Sequence, residues 1–299
     1  MEMTGKLINQ ALDLFLPDIY YGNTLGLIDH YSDNHEIDFI TFIDDEKFIR
    51  HINENQRIKS VFITSGIWEK IKNDKIQPII CDDPRFYYYS FYNFFASANL
   101  KKEPSVIADS AIINPKANVS EYNVVIGKNT IIEPNVTILP DVEIGDNVVI
   151  RAGAVIGSEG FEHKRTKRGI LSVVHDGKVI IYDEVEVGAN TCIDKGFSWR
   201  NTIIGCQTKI DNLVHIGHCA HIGQRCLIAA CSQIGAVKMG DDVWVGPNAN
   251  LLSSQNIGNN SFISVGSVVT RDVDDGARVT GNFAIDHKKF IQHIKNISH

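Results

Sequence analysis

The sequence predicts a mainly β solenoid preceded by a small α/β domain, and three observations carry that reading. The first is a six-residue beat. From Ile126 an aliphatic side chain returns every sixth residue through Ile132, Ile138, Ile144, Ile150 and Ile156; the beat resumes at Ile181, Val187 and Ile193, then runs from Ile204 through Ile210, Ile216, Ile222, Ile228 and Ile234. After a slip of one residue to Met239 it continues through Val245, Leu251, Ile257 and Ile263. Neither helical nor strand periodicity produces this pattern, and a fixed short repeat signals a solenoid. The second observation is that Gly, Asn or Asp often follows the aliphatic residue, as in Ile144-Gly145-Asp146-Asn147 and Ile257-Gly258-Asn259-Asn260. Such residues suit corners at which φ is positive. The third is that residues 1 to about 100 lack the beat and carry most of the Tyr and Phe.

Within those N-terminal residues, Ile37–Ile43, Ser60–Thr64 and Pro78–Cys81 read as strands, and Lys47–Glu54 and the aromatic-rich Arg85–Ala98 read as helices. The alternation predicts a small α/β domain over residues 1–103, closed by the polar junction Lys101-Lys102-Glu103-Pro104. The first hexads follow at Ile107, Ile113 and Val119, with one extra residue before Ile126, so the solenoid is expected over 104–285. A basic, Gly-containing insertion at 158–180 interrupts it. Insertions in solenoids often lie over binding faces, which predicts a functional role for this one. In 286–299, Phe290, Ile291, Ile294 and Ile297 recur at helical spacing, which predicts a short C-terminal helix covering the open end of the solenoid.

The bulk numbers narrow the function. At 299 residues the chain can bury a sizeable core, and its formal net charge of −7 disfavours nucleic acid or an anionic membrane as a general partner. The N-terminus lacks the cationic flank and long apolar core of a signal peptide, and no apolar stretch reaches the roughly 20 residues a transmembrane segment needs. The six cysteines form no CxxC pair, and five fall in the repeat region as small ladder residues. A reduced, cytoplasmic protein is the expectation.

Hexapeptides of this form resemble the left-handed parallel β-helix, in which three hexads make one triangular coil. That resemblance implies a homotrimer with sites in the grooves between subunits. The densest ionisable cluster, Asp211-Asn212-Leu213-Val214-His215-Ile216-Gly217-His218-Cys219-Ala220-His221, then has three readings: polar surface ladder positions, a metal site, or a general base. His215 and His221 share a hexad phase on successive faces and should point apart, so no metal is expected.

The run Asn212–Gly223 with Ile228-Ala229-Ala230-Cys231 resembles the catalytic segment of the LpxD family, N-acyltransferases of lipid A biosynthesis. So do Val187–Gly196, Gly157-Ser158-Glu159-Gly160-Phe161 and, in the N-terminal domain, Ile40–Ile43 with Lys47-Phe48 and Asp82-Asp83-Pro84-Arg85. The resemblance implies a catalytic histidine at His218, with His215 where the family often has Gln. It implies a uracil site at Phe42 and Phe48, with Asp45 standing where Asn is usual. A neutral imidazole suits removal of a proton from an amine attacking a thioester, and such help is worth about 10²–10⁴ in rate. A backbone amide near Gly235 or Ala236, where the register slips, is the oxyanion candidate. Asp211 or Asp194 would orient the imidazole. His215, His175 and Phe161 are candidates for the acceptor pocket.

The chain also departs from that family. A second histidine expected downstream is replaced by Leu251-Leu252-Ser253-Ser254-Gln255, and long C-terminal helices associated with acyl carrier protein docking do not follow. Arg278-Val279-Thr280-Gly281-Asn282-Phe283-Ala284 resembles the Val-x-Gly-Asn-Pro-Ala ending of CoA-dependent hexapeptide acetyltransferases, with Phe283 in place of Pro. This implies CoA contacts at Arg271, Arg278, Gly281 and Asn282. The expectation is therefore an N-acyltransferase that moves an acetyl or short 3-hydroxyacyl group from acyl-CoA, with no bound cofactor, to the amine of a UDP- or dTDP-linked amino sugar for surface polysaccharide such as O-antigen. The alternative is N-acylation of UDP-3-O-(3-hydroxyacyl)glucosamine in lipid A biosynthesis, with acyl carrier protein as donor. A carbonic-anhydrase-like metalloenzyme and a non-catalytic scaffold are further alternatives.

Overall fold

Every aliphatic residue of the beat points into the bore of a triangular coil. The computed structural model describes residues 3–27, 37–99, 101–198, 200–281 and 286–297. Three parallel sheets form the coil walls. One has eight strands, from Val106–Ile107 to Asn256–Ile257; one has nine, from Ile112–Ile113 to Arg278–Val279; the third has eight, from Asn118–Val119 to Val268–Val269. The register stacks like on like: Ile126, Ile144, Ile181, Ile204, Ile222, Met239 and Ile257 form one inner ladder. Ile193, Ile216, Ile234, Leu251 and Val269 form another. A second inner row of small residues (Val136, Val142, Val148, Ala154, Val214, Ala220, Cys226) fills the space left beside them. Each fully buried Ile contributes roughly 1.5–3 kcal/mol relative to exposure. The fold is a left-handed β-helix, mainly β with few helices.

The corners divide the labour differently from the sequence expectation. The left-handed residue comes three places after the aliphatic one: Asn129, Asn135, Asn147, Asn190, Asn248 and Asn260 lie at φ between 55° and 59°. Leu213, Cys219 and Cys231 occupy the same corner position in other coils (φ 58°, 62° and 61°), at a cost of roughly 1–2 kcal/mol each. The glycine directly after the aliphatic residue is needed for close stacking. A Cβ on Gly205 would lie 2.5 Å from the carbonyl carbon of Gly223 in the next coil. Gly205→Ala is expected to destabilise the protein by about 1–3 kcal/mol, measured by denaturant unfolding.

The register slip before Met239 has a local cause. The Val237 N–H donates to the Gly235 carbonyl at 2.7 Å, a three-residue turn that shortens this corner by one residue.

The chain forms two compact units. One holds Met1–Lys101, Glu159–Asp176 and Phe197–Trp199; the other holds Lys102–Ser158, Gly177–Gly196 and Arg200–His299. Most of the insertion expected within the solenoid domain therefore clusters with the N-terminal residues instead. It forms an antiparallel hairpin, His163–Thr166 with Gly169–Ser172. Polar contacts tie it there: Asn93 Nδ2 donates to Ser172 O at 2.7 Å, and the Val174 N–H donates to Asn93 Oδ1 at 2.9 Å. The same unit contains a four-stranded parallel sheet, Thr24–Leu25, Phe39–Phe42, Ile58–Ile63 and Gln77–Ile80, and an antiparallel pair, Met3–Thr4 with Tyr20–Gly22. The aromatic helix Pro84–Asn99 buries Tyr88, Phe91 and Tyr92.

The C-terminal helix runs over His287–Ile297. Ile291, expected on its buried stripe, is 38% exposed. Among the described residues no helix is long and apolar enough to cross a membrane.

Candidate functional site

Strand alternation builds the site on the outer surface of the third sheet. Ile193 and Ile216 point inward, which sends Cys192, Asp194 and His215 out. Parallel register then stacks His215 above Cys192 and below Gln233. His215 Nε2–H donates to Asp194 Oδ2 at 3.0 Å, and Ser158 Oγ–H donates to Asp194 Oδ1 at 2.6 Å. The Ser158 hydroxyl also lies 3.1 Å from the Cys192 sulfur. Asp194 is buried, whereas the His215 side chain is 44% exposed, so the imidazole edge faces solvent. With Nε2–H committed to the carboxylate, a neutral ring keeps its lone pair on Nδ1.

The electrostatics follow. The hydrogen bond that His215 donates to Asp194 raises the His215 pKa above the ordinary imidazole value, against partial burial and with help from the carboxylate charge. Burial pushes the Cys192 thiol up, so it remains protonated and adds no second negative charge. Because the folded-state pKa of His215 is raised, the ion pair's stabilisation is fully present below the unfolded imidazole value of about 6.5. It is lost as pH rises through the folded value. Asp194→Asn should therefore destabilise more near pH 6 than near pH 8.5, by under about 1 kcal/mol at this half-exposed pair, as read from paired denaturant titrations.

Three residues beyond His215, His218 sits half-buried at the corner leading to the first sheet, just before the left-handed Cys219. His221 follows, exposed on that first sheet, so His215 and His221 do lie on successive faces. Among the described residues no group of three or more His, Cys, Asp or Glu is placed to hold a metal ion.

Several expected roles change on contact with the geometry. Asp194 orients His215, where His218 was the expected partner. Asp211 accepts from the Asn212 N–H at 2.7 Å and the Ala230 N–H at 3.2 Å, so it braces a corner. The Gly235 N–H is spent on Leu251 O at 2.9 Å, which removes it as an oxyanion donor. The Ala236 N–H donates at 3.2 Å to the Ser253 hydroxyl. His175 is 1% exposed, with Nδ1 3.1 Å from Val173 O and Nε2 accepting from the Gly160 N–H at 3.2 Å. Both nitrogens are occupied, and His175 holds the insertion together rather than lining an acceptor pocket. Phe161 is 87% exposed, edge-on to His163 at 4.8 Å.

The N-terminal unit carries a cavity of about 620 Å³ lined by Asp45, Phe48, Thr64, Arg85, Arg165 and Lys167 among others. Phe48 offers a face there, with Lys47 Nζ 4.9 Å from its centroid. Asp45 accepts from the Lys47 N–H at 3.0 Å and caps a short helical turn. Phe42 does not line this cavity; half-buried, it packs on Tyr88 and Tyr89, with centroids at 4.9 and 5.5 Å. Arg271 is exposed, and the Arg278 guanidinium stacks 4.3 Å over Phe262, which stacks in turn on Trp244 at 5.9 Å. Gly281 packs on the preceding coil, where a Cβ would meet Gly266 O at 2.6 Å; Asn282 lies outside the described residues. Sequence reasoning assigned no role to Ser158 or to the hairpin cations Arg165 and Lys167. The hexad phase marks outward positions but does not report which outward residues from different coils meet.

Residues 123–158 and 201–236 match the bacterial transferase hexapeptide (six repeats). Both matched stretches lie on the coils of the left-handed β-helix described above. The chain is similar to UDP-3-O-acylglucosamine N-acyltransferase of Methylobacterium nodulans, 44% identical over 138 residues that cover 46% of this chain and 39% of that protein. The enzyme of the same name from Caulobacter sp. (strain K31) is 37% identical over 149 residues, covering 50% of this chain and 44% of that protein. The matched segment thus spans less than half the length of these relatives. The solved UDP-N-acetylglucosamine acyltransferase from Campylobacter jejuni superposes with a TM-score of 0.51 at 20% identity, over 64% of this chain and 81% of that one. That likeness establishes a common fold.

Proposed function

We propose that this protein is an acyltransferase that moves an acyl group from a thioester to the amine of a UDP-linked amino sugar, UDP-3-O-acylglucosamine or a close relative of it. The observation that carries the reading is the 44% identity over 138 residues to an enzyme named for that acceptor, on a β-helix that carries His215 on a strand and His218 at the corner after it. The similarity favours this acceptor over the O-antigen-type sugars and acyl-CoA donor that the Arg278 segment had suggested. That segment is seven residues long, and part of it lies outside the described residues.

His218 serves as the general base for the attacking nitrogen, worth about 10²–10⁴ in rate. The Ala236 amide is the remaining oxyanion candidate, since its bond to the Ser253 hydroxyl can be exchanged for one to a substrate oxygen. The face of Phe48 takes the base of the nucleotide, and Arg85, Arg165 and Lys167 supply positive charge for its phosphates. The working unit is a trimer, and light scattering in solution tests that.

The test of function is acceptor-dependent thiol release, with acyl carrier protein and CoA thioesters as donors and UDP-3-O-acylglucosamine and other UDP- and dTDP-amino sugars as acceptors. Release with the UDP-linked amine, giving an amide product, is the expected result, and the donor that supports it identifies the thiol. Release without amide formation, or no release from any pair, would overturn the reading.

A further inference from the structure

N-acylation of an amino sugar has a proton balance that one base does not close. An amine flanked by electron-withdrawing carbons titrates near about 8, as an α-amino group does, so in neutral solution the acceptor arrives as an ammonium. Two protons must leave its nitrogen on the way to the amide: one to expose the lone pair, one after the C–N bond forms. The second can pass through His218 to the departing sulfur. The first needs another acceptor.

We infer that His215, oriented by Asp194, is that acceptor and a second catalytic residue of the same site; the inference rests on the acyl-transfer reading above. Asp194 and Ser158 act as positioning residues. Three observations support the assignment. The Asp194 carboxylate is buried and bonded on one side to Ser158 and on the other to His215, which fixes the ring and leaves Nδ1 free to accept. The side chain of His215 is 44% exposed, so an ammonium from solvent can reach it. His215 opens the strand His215–Ile216, and His218 stands three residues on, at the corner that follows this strand.

The groups facing the ring are Cys192 and Asp194 from the coil below, Gln233 from the coil above and Ser158 at the carboxylate. The thiol, amide and hydroxyl among them are neutral, so the carboxylate alone stabilises the imidazolium. A buried carboxylate against a half-exposed imidazole is more than a solvated surface ladder requires.

The step balances as follows. Nδ1 of His215 takes a proton from the ammonium, giving the free amine and an imidazolium paired with Asp194. The amine attacks the thioester carbonyl and the C–N bond forms. The remaining extra proton passes through His218 to sulfur as the C–S bond breaks, giving amide and thiol. His215 then releases its proton to water, so each turnover yields one amide, one thiol and one proton.

The experiment is the pH dependence of kcat/KM for the intact wild type, His215→Gln and Asp194→Asn, with a UDP-linked amino sugar as acceptor. His215→Gln must wait for amine that is already deprotonated, so its acid limb moves to higher pH, and it loses about tenfold more activity at pH 6.5 than at pH 9. Asp194→Asn weakens the imidazolium and moves the acid limb the opposite way, to lower pH. Limbs displaced in opposite directions support the assignment. Profiles parallel to wild type, lowered equally at every pH, would reduce both residues to scaffolding and overturn it. A wild type inactive with every donor and acceptor would instead overturn the acyl-transfer reading itself.

Discussion

His218→Ala is expected to lower kcat for acyl transfer by about 10²–10⁴ while leaving the unfolding midpoint close to wild type. The side chain is half-buried at a coil corner and the inner ladders do not include it, so its removal opens no core cavity. The loss should fall on kcat and kcat/KM together, because a base that acts on the attacking nitrogen is engaged in the transition state and contributes little to ground-state binding. A change confined to KM would place His218 among binding residues and rule it out as the general base.

The largest stability effect is expected at Ile216→Ala. Ile216 is fully buried between Ile193 and Ile234 in its ladder, and its replacement leaves a cavity in a bore closed on three sides by sheet. Such truncations cost about 2–5 kcal/mol. Because each coil contacts only its neighbours, the damage stays local, in the coils that also carry His215 and His218. Denaturant unfolding should show the loss of stability, and kcat should fall with it even though Ile216 touches no substrate. A variant with wild-type kcat would show that the histidines are held by the corner alone. The comparison with Gly205→Ala is informative, since that change strains stacking between coils without emptying the bore.

The fold was legible because a parallel coil repeats its demand every six residues. Ile126, Ile132 and Ile138 could be assigned to the interior with no knowledge of their neighbours, since the same phase recurs along the chain. The three strands expected in the N-terminal unit fall close to their observed limits, though Ile37 is 47% exposed and precedes its strand, which begins at Phe39; the short strands Met3–Thr4, Tyr20–Gly22 and Thr24–Leu25 were not expected. The corners were misassigned in detail. Periodicity places small and amide residues near a turn but does not separate positive φ at Asn147 from close stacking at Gly145; backbone geometry makes that separation.

The site was legible as a cluster and illegible as a mechanism. Asp211-x-x-x-His215-x-x-His218 marks ionisable residues along one strand and its two flanking corners, yet the carboxylate that reaches an imidazole is Asp194, one coil below. Its contact depends on the register between coils, which sequence distance does not encode. His175, in the insertion, read as a candidate for the acceptor pocket; burial and two backbone partners make it a structural pin. Phe42 and Phe48 looked equivalent as aromatic faces until packing against Tyr88 and Tyr89 claimed the first.

The sequence by itself determined the β-helix, the separate character of the N-terminal residues and the histidine-rich corner, because each follows from local periodicity and composition. Only the tertiary structure decided that Asp194, Ser158 and Cys192 surround His215, that the hairpin of the insertion clusters with the N-terminal unit, and that the Gly235 amide is already spent. These depend on which outward side chains meet across coils, and a solenoid leaves that choice to stacking distances of a few ångströms.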